Sequence, residues 1–149
     1  MYIKKLPEDL KKMAKAFNSK TDGLMSDIAN QFLYATQRKW EARGSGQSYQ
    51  GEKWEPLSPR TVRARGGRTY PMLIDSADMF NALTVSSDSD TARAFFQTPE
   101  NIKYARHAKG SDKLPQRIVL DITSEDKTDI DNIVDDFVKD VLKGKKWNV

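Results

Sequence analysis

Apolar residues recur at helical spacing near both ends of the chain and at strand spacing in its middle. Leu10, Met13, Ala14 and Phe17 fall three and four residues apart, and Pro7 suits a first turn, which predicts a helix over residues 8–18. The polar run Asn18-Ser19-Lys20-Thr21-Asp22-Gly23 interrupts the pattern, the alternative being a single kinked helix, and Thr21 or Asp22 can cap a second, longer helix to about residue 42. Its apolar line is Leu24, Ile28, Phe32 and Ala35, widened by Met25, Ala29 and Leu33. Gly44-Ser45-Gly46-Gln47-Ser48 ends it, and a loop runs on to Lys53.

The next stretch is Trp54-Glu55-Pro56-Leu57-Ser58-Pro59-Arg60-Thr61. Pro56 restricts Glu55 to extended backbone. Ser58 followed by Pro59 reads as an N-cap and first helical residue, so a short helix is expected over 59–65. Arg63-Ala64-Arg65-Gly66-Gly67-Arg68 reads as a flexible basic loop. After the apolar run Met72-Leu73-Ile74, the residues Asp75-Ser76-Ala77-Asp78 offer an N-cap and an acidic first turn for a short helix carrying Met79, Phe80 and Leu83. Residues 83–87 and 92–96 flank the polar turn Asp88-Ser89-Asp90 and predict a hairpin. A helical turn is expected over 101–108 and a β-like segment over 118–122.

The last helix has the strongest pattern. Thr123 or Ser124 caps it, and Ile130, Ile133, Val134, Phe137, Val138, Val141 and Leu142 lie on one stripe. Burying such a stripe contributes about 1.5–3 kcal/mol per large side chain before entropy is subtracted. Gly144 is expected to stop it, with Lys143, Lys145 and Lys146 at the negative end of the helix dipole. The resulting fold class is α+β. An antiparallel sheet packs with a long N-terminal helix and an amphipathic C-terminal helix in a single domain over residues 1–149, in which residues 1–20 can stand apart as a separate N-terminal helix.

Charge adds a second pattern. Residues 121–142 hold eight acids against two lysines, a local charge of −6, and with +4 on the whole chain the remainder carries +10. A charge-polarised subunit can attract a copy of itself head to tail. Phe32, Phe95 and Phe137 join Trp54, Pro56 and Leu57 as candidate anchors, with Trp54 and Leu57 pinning the long helix to the sheet. The candidate assembly contacts are Arg60, Arg63, Arg65 and Arg68 on the basic side and Asp129, Asp136 and Asp140 on the acidic side. Those three aspartates lie broadly opposite the apolar stripe, which puts them in solvent. The loops over 44–53 and 63–70 are expected to order on docking to neighbours.

Candidate chemistry is sparse. The chain has no cysteine, so disulfides and thiolate sites are absent. His107 is the only histidine, and its neighbours Tyr104, Ala105 and Arg106 supply neither a nucleophile nor an orienting carboxylate; a structural histidine at a helix end fits better. No Walker loop, dinucleotide fingerprint or HExxH pattern occurs. No window approaches the ~20 apolar residues of a membrane span, and residues 1–7 lack the apolar core of a signal peptide. The rival to an assembly role is a small nucleic-acid-binding module. In that reading Lys53, Arg60, Arg63, Arg65 and Arg68 hold phosphates, with Trp54 and Tyr70 nearby to stack bases.

Four segments in order resemble the phage virion morphogenesis family, also called tail completion proteins. Trp54-Glu55-Pro56-Leu57-Ser58-Pro59-Arg60-Thr61 is similar to the family's W-x-P-L-S-x-x-T signature. Leu73-Ile74-Asp75-Ser76-Ala77-Asp78-Met79 resembles L-x-x-[ST]-G-x-L, with Ala77 in the glycine place and Met79 in the leucine place. Tyr104-Ala105-Arg106-His107-Ala108-Lys109-Gly110 is similar to Y-A-x-x-H-x-x-G, with the histidine one residue early. Leu114-Pro115-Gln116-Arg117-Ile118-Val119-Leu120 resembles I-P-x-R-P-F-L, with Ile118 in a proline place.

The resemblance covers roughly residues 25–143. It implies a structural phage or prophage protein that completes the tail or joins head to tail as a ring-forming subunit, often hexameric, at the neck or tail terminus. It implies no catalysis and no cofactor. The partners implied are further copies of the chain, tail tube or terminator proteins and head-connector proteins, with DNA only passing through the ring and no membrane. The implied location is the virion, assembled in the bacterial host cytoplasm.

Overall fold

A computed structural model describes residues 8–50, 52–74 and 76–143. In chain order the elements are α1 (Glu8–Asn18), α2 (Thr21–Gly44), α3 (Pro59–Ala64), α4 (Asp78–Asn81), β1 (Leu83–Ser87), β2 (Ala92–Phe96), α5 (Glu100–Lys109) and α6 (Ser124–Leu142). The mixed helix and strand class is as expected. α2 is the central beam, with the hairpin on one flank and α6 on the other, while α4 and α5 pack together beside the strands.

The hairpin is antiparallel, with Leu83 opposite Phe96 and Ser87 opposite Ala92. Its turn is tied by Asp88, whose carboxylate accepts the N–H groups of Asp90 and Thr91 at 2.9 and 2.8 Å. The Thr91 hydroxyl also donates to it at 2.7 Å, and that bond, followed by the two N–H bonds, holds the Asp88 carboxyl below its ordinary pKa. Strand alternation sends Leu83 and Phe96 inward and leaves Phe95 42% exposed, so the anchor on β2 is Phe96 rather than Phe95. Phe96 packs with Trp40, Trp54, Met72, Met79, Leu83 and Val119 in the main core. Trp40 stands at its centre, with ring centroids 5.2 Å from Phe80 and 5.7 Å from Phe96.

Four boundaries depart from the sequence reading. The cap residue of α2 is Lys20, which makes no side-chain cap bond; the Thr21 hydroxyl instead donates back to the carbonyl of Asn18 at 3.1 Å. Residues 118–122 form no strand. They are irregular, with a bend at Leu120, and Val119 is buried while Ile118 and Ile122 are exposed; their polar groups are used by side chains of α2 and α5 rather than by a sheet neighbour. The basic run over 63–68 is not a loose loop: Arg63 and Ala64 end α3, and a hydrogen-bonded turn follows over 65–67. Gly66 and Gly67 both take positive φ, and Gly67 N–H donates to the carbonyl of Val62 at 2.8 Å. Finally, α4 covers only four residues, and Leu83 belongs to β1. The expected stop at Gly144 and the lysines Lys145 and Lys146 lie outside the described residues. At the other end of α6, Thr123 and Asp126 form a capping box.

α4 begins from Ala77, whose φ of 62° lies in the left-handed region. This is the position where the resembled segment has glycine, and the backbone supplies the reason: a Cβ is disfavoured there. Ala77→Gly is therefore expected to raise stability by about 0.5–1 kcal/mol. A urea midpoint at or below that of the parent chain would show that this strain is absent.

Candidate functional site

The residues after Trp54 carry no regular structure up to the extended Ser58, whose hydroxyl accepts the N–H of Thr61 at 3.2 Å, and Pro59 opens α3. Trp54 is 6% exposed and faces the core. Leu57 is half-buried, and Pro56 is exposed. The segment is clamped from the other side by Arg117, which is 3% exposed. Its Nη2 donates to the carbonyls of Glu55 at 2.8 Å and Pro56 at 3.3 Å, and its backbone N–H donates to the carbonyl of His107 at 2.9 Å. Just beyond, the Leu120 N–H donates to the Tyr104 hydroxyl at 3.1 Å, and the Tyr104 ring packs 4.5 Å from Phe96. Gly110 permits this closure: a Cβ there would come within 3.0 Å of the Gln116 backbone.

A cavity of about 440 Å³ lies where these elements meet. Its walls take Leu57, Ser58 and Thr61 from the tryptophan segment, Leu73 from the second, His107 from the third, and Leu114, Pro115 and Arg117 from the fourth. Ala64, Arg65 and Lys113 complete it. All four segments that carry the family resemblance thus converge on one concave site. Arg117 was invisible to periodicity, since it sits in irregular backbone and has no acidic neighbour in sequence.

Among the described residues, the charged groups that line the cavity are basic. Burial pushes the Arg117 guanidinium below its ordinary pKa, and the charge of Glu55 only partly opposes this. Burial, followed by the Arg117 charge, likewise lowers His107. The His107 Nδ1 is buried without a hydrogen-bond partner. His107 also lines an adjoining cavity of about 160 Å³ with Asp78 and Glu100. Those carboxylates accept elsewhere, from Ser76 at 2.6 Å and from Lys103 at 2.9 Å, and among the described residues no carboxylate hydrogen-bonds the imidazole.

A neutral, partly buried histidine makes stability pH-dependent. The unfolded chain takes up a proton near the ordinary value of about 6.5 while the folded chain does not. Stability is then full above that pH and falls as pH drops toward the lower folded value. His107→Gln is expected to flatten this loss in urea titrations between neutral and mildly acid pH, and an unchanged pH profile would assign the loss to other groups.

A second polar cluster lies between α2 and the start of α6. Lys39, fully buried, donates to Asp126 Oδ2 at 2.6 Å and to the Asp121 carbonyl at 2.7 Å. Arg43, 2% exposed, donates to Asp121 at 2.9 Å, Glu52 at 3.1 Å and the Ile118 carbonyl at 3.2 Å. Glu125 receives Arg38 at 3.0 Å together with Tyr49 and Gln50 of the 44–53 loop, so that loop already rests on the start of α6. Half of the acidic run is therefore turned toward α2.

The candidate contacts divide accordingly. Asp129 is half-buried and accepts from Gln31 at 2.8 Å, which corrects its reading as a solvent-facing residue. Asp136 and Asp140 are exposed and pair with Lys139 and Lys143 at 3.3 and 3.2 Å. Arg60 and Arg63 are exposed on α3. Arg65 is half-buried and donates to the Pro71 carbonyl at 2.9 Å, and Arg68 Nε donates to the Arg65 carbonyl at 3.1 Å. The basic and acidic candidates occupy different elements and do not meet within the chain. With Trp54 in the core, its ring is not displayed for base stacking.

Among the described residues, no helix is long and apolar enough to cross a membrane. No curated protein and no solved structure matches the chain significantly. The sequence model of one family matches residues 2–139, a span that takes in the whole cavity and most of α6. On that match, the chain belongs to the phage virion morphogenesis family.

Proposed function

We propose that the protein is a non-catalytic assembly subunit that completes the phage tail or joins it to the head, as a closed ring of identical copies. Family membership makes phage virion morphogenesis its setting. The observation that carries the finer reading is the separation of exposed charge. Arg60 and Arg63 stand on α3, while Asp131, Asp135, Asp136 and Asp140 stand on α6. Two unlike patches on one subunit suit a heterologous contact, which generates a ring when the rotation closes. Complementary charge at such a contact sets register and speeds encounter more than it adds affinity. Tail tube, terminator and connector proteins are the remaining partners in this reading.

Two experiments test it. Deleting the gene and imaging the lysate is expected to show heads and tails accumulating separately; normal joined virions would sink the proposal. Arg60→Glu combined with Arg63→Glu is expected to impair ring formation in negative stain while the circular dichroism of the chain is unchanged. Rings of normal abundance from that variant would remove α3 from the contact.

A further inference from the structure

We infer that the cavity at Arg117 is a receptor for a carboxylate-bearing peptide segment of another polypeptide. Among the described residues, the charged side chains on its wall are Arg65, Lys113 and Arg117, all cationic; Arg65 already has other partners, which leaves Lys113 and Arg117 to meet an anion. Arg117 is 97% removed from solvent, yet among the described residues no carboxylate lies within ion-pair distance of it; its donors reach only two backbone carbonyls. The Glu55 charge reaches Arg117 only from beyond ion-pair distance, and a buried cation with no carboxylate in contact is costly, a cost that an incoming anion offsets. The hydroxyls of Ser58 and Thr61 stand at the same wall. Lys113 is exposed and supplies a cation at the rim.

The shape selects a peptide over a bare anion. Leu57, Leu73 and Leu114 contribute apolar surface beside the cations, and about 440 Å³ exceeds what a small inorganic anion fills. An aspartate or glutamate flanked by apolar residues matches both features. The proposal rests on the assembly reading only in taking the partner to be a protein.

His107 provides the test, because it is the chain's only histidine and lines the cavity. Its imidazole resonances report on this cavity and on the adjoining one, and the Lys113 variant tells the two apart because Lys113 lines only the first. The full chain is titrated with a short blocked peptide that alternates leucine with aspartate. In parallel it is titrated with the asparagine version, with inorganic phosphate and with a single-stranded oligonucleotide. Saturable movement of the His107 signals is expected with the aspartate peptide, with about tenfold weaker binding for the asparagine version and for Lys113→Glu, and weakening with added salt. Lys113 is exposed, so that variant keeps the fold, whereas Arg117 holds two carbonyls and is left intact.

No movement at millimolar peptide, or equal binding of the asparagine version, overturns the inference. Movement with phosphate or oligonucleotide but not with peptide overturns it as well. The titration reads the cavity whether or not rings form. A saturable shift in a chain that never assembles keeps the receptor and removes the ring, and rings without the shift do the reverse.

Discussion

Lys39→Ala is expected to destabilise the protein by about 3–5 kcal/mol, read from urea denaturation at neutral pH. The Lys39 ammonium is fully buried on α2 and bridges to Asp126, itself 3% exposed, at 2.6 Å. Removing the cation leaves a carboxylate in the interior with only the Thr123 N–H and hydroxyl, at 2.7 and 2.9 Å, to satisfy it. The cost comes from that stranded charge more than from the lost attraction. Asp126→Asn added to Lys39→Ala should recover part of the loss, because it removes the charge while its side-chain oxygen can still accept from Thr123. A double variant as unstable as the sum of its singles would show that the two residues are not coupled.

The pH dependence has a definite sign. Burial alone pushes the Asp126 carboxyl up, but the bonds from Lys39 and Thr123 outweigh it and hold the group below its ordinary value. Its contribution is therefore full above the unfolded carboxylate pKa of about 3.9 and is lost as pH falls through the lower folded value. In Lys39→Ala the burial effect is left without its main opponent, and the carboxyl moves up. The gap between variant and parent should narrow as the pH is lowered into the acid range; a gap that stays constant would contradict this account.

Trp54→Ala should cost about 3–5 kcal/mol, the range for truncating a large aromatic in a packed core. Trp54 is 6% exposed and shares the core with Met72, Met79 and Val119. It is also the first residue of the strut that Arg117 clamps, so its loss should loosen Glu55 and Pro56 and shift the His107 signals across the cavity. A loss of only a few tenths of a kcal/mol would place the indole at an intersubunit surface instead.

Elements with strong local signals could be read from the chain directly. The hairpin falls on the expected residues because apolar alternation and the Asp88 turn act within a few positions of each other. α3 and α6 start where Ser58 and Thr123 can satisfy nearby backbone donors. Residues 118–122 have strand composition without a strand's neighbour, and composition cannot say which partner is absent. The apolar line of α2, followed at helical spacing past Ala35, reaches Thr36, Lys39 and Arg43, all of them buried. That continuation was the available signal for the ion cluster, masked by the expectation that lysine and arginine face water.

The sequence by itself determined the helices, the hairpin, the segregation of acid and base, and four ordered segments that resemble one family. Each is a property of neighbours along the chain or of their order. Tertiary structure alone decided that Lys39 and Arg43 draw Asp121 and Asp126 inward. It alone decided that Arg117 grips the tryptophan segment and that the four segments close around one cationic cavity. The physical reason is distance in sequence: burial and hydrogen bonding depend on which remote groups packing brings together, and no local periodicity encodes that pairing.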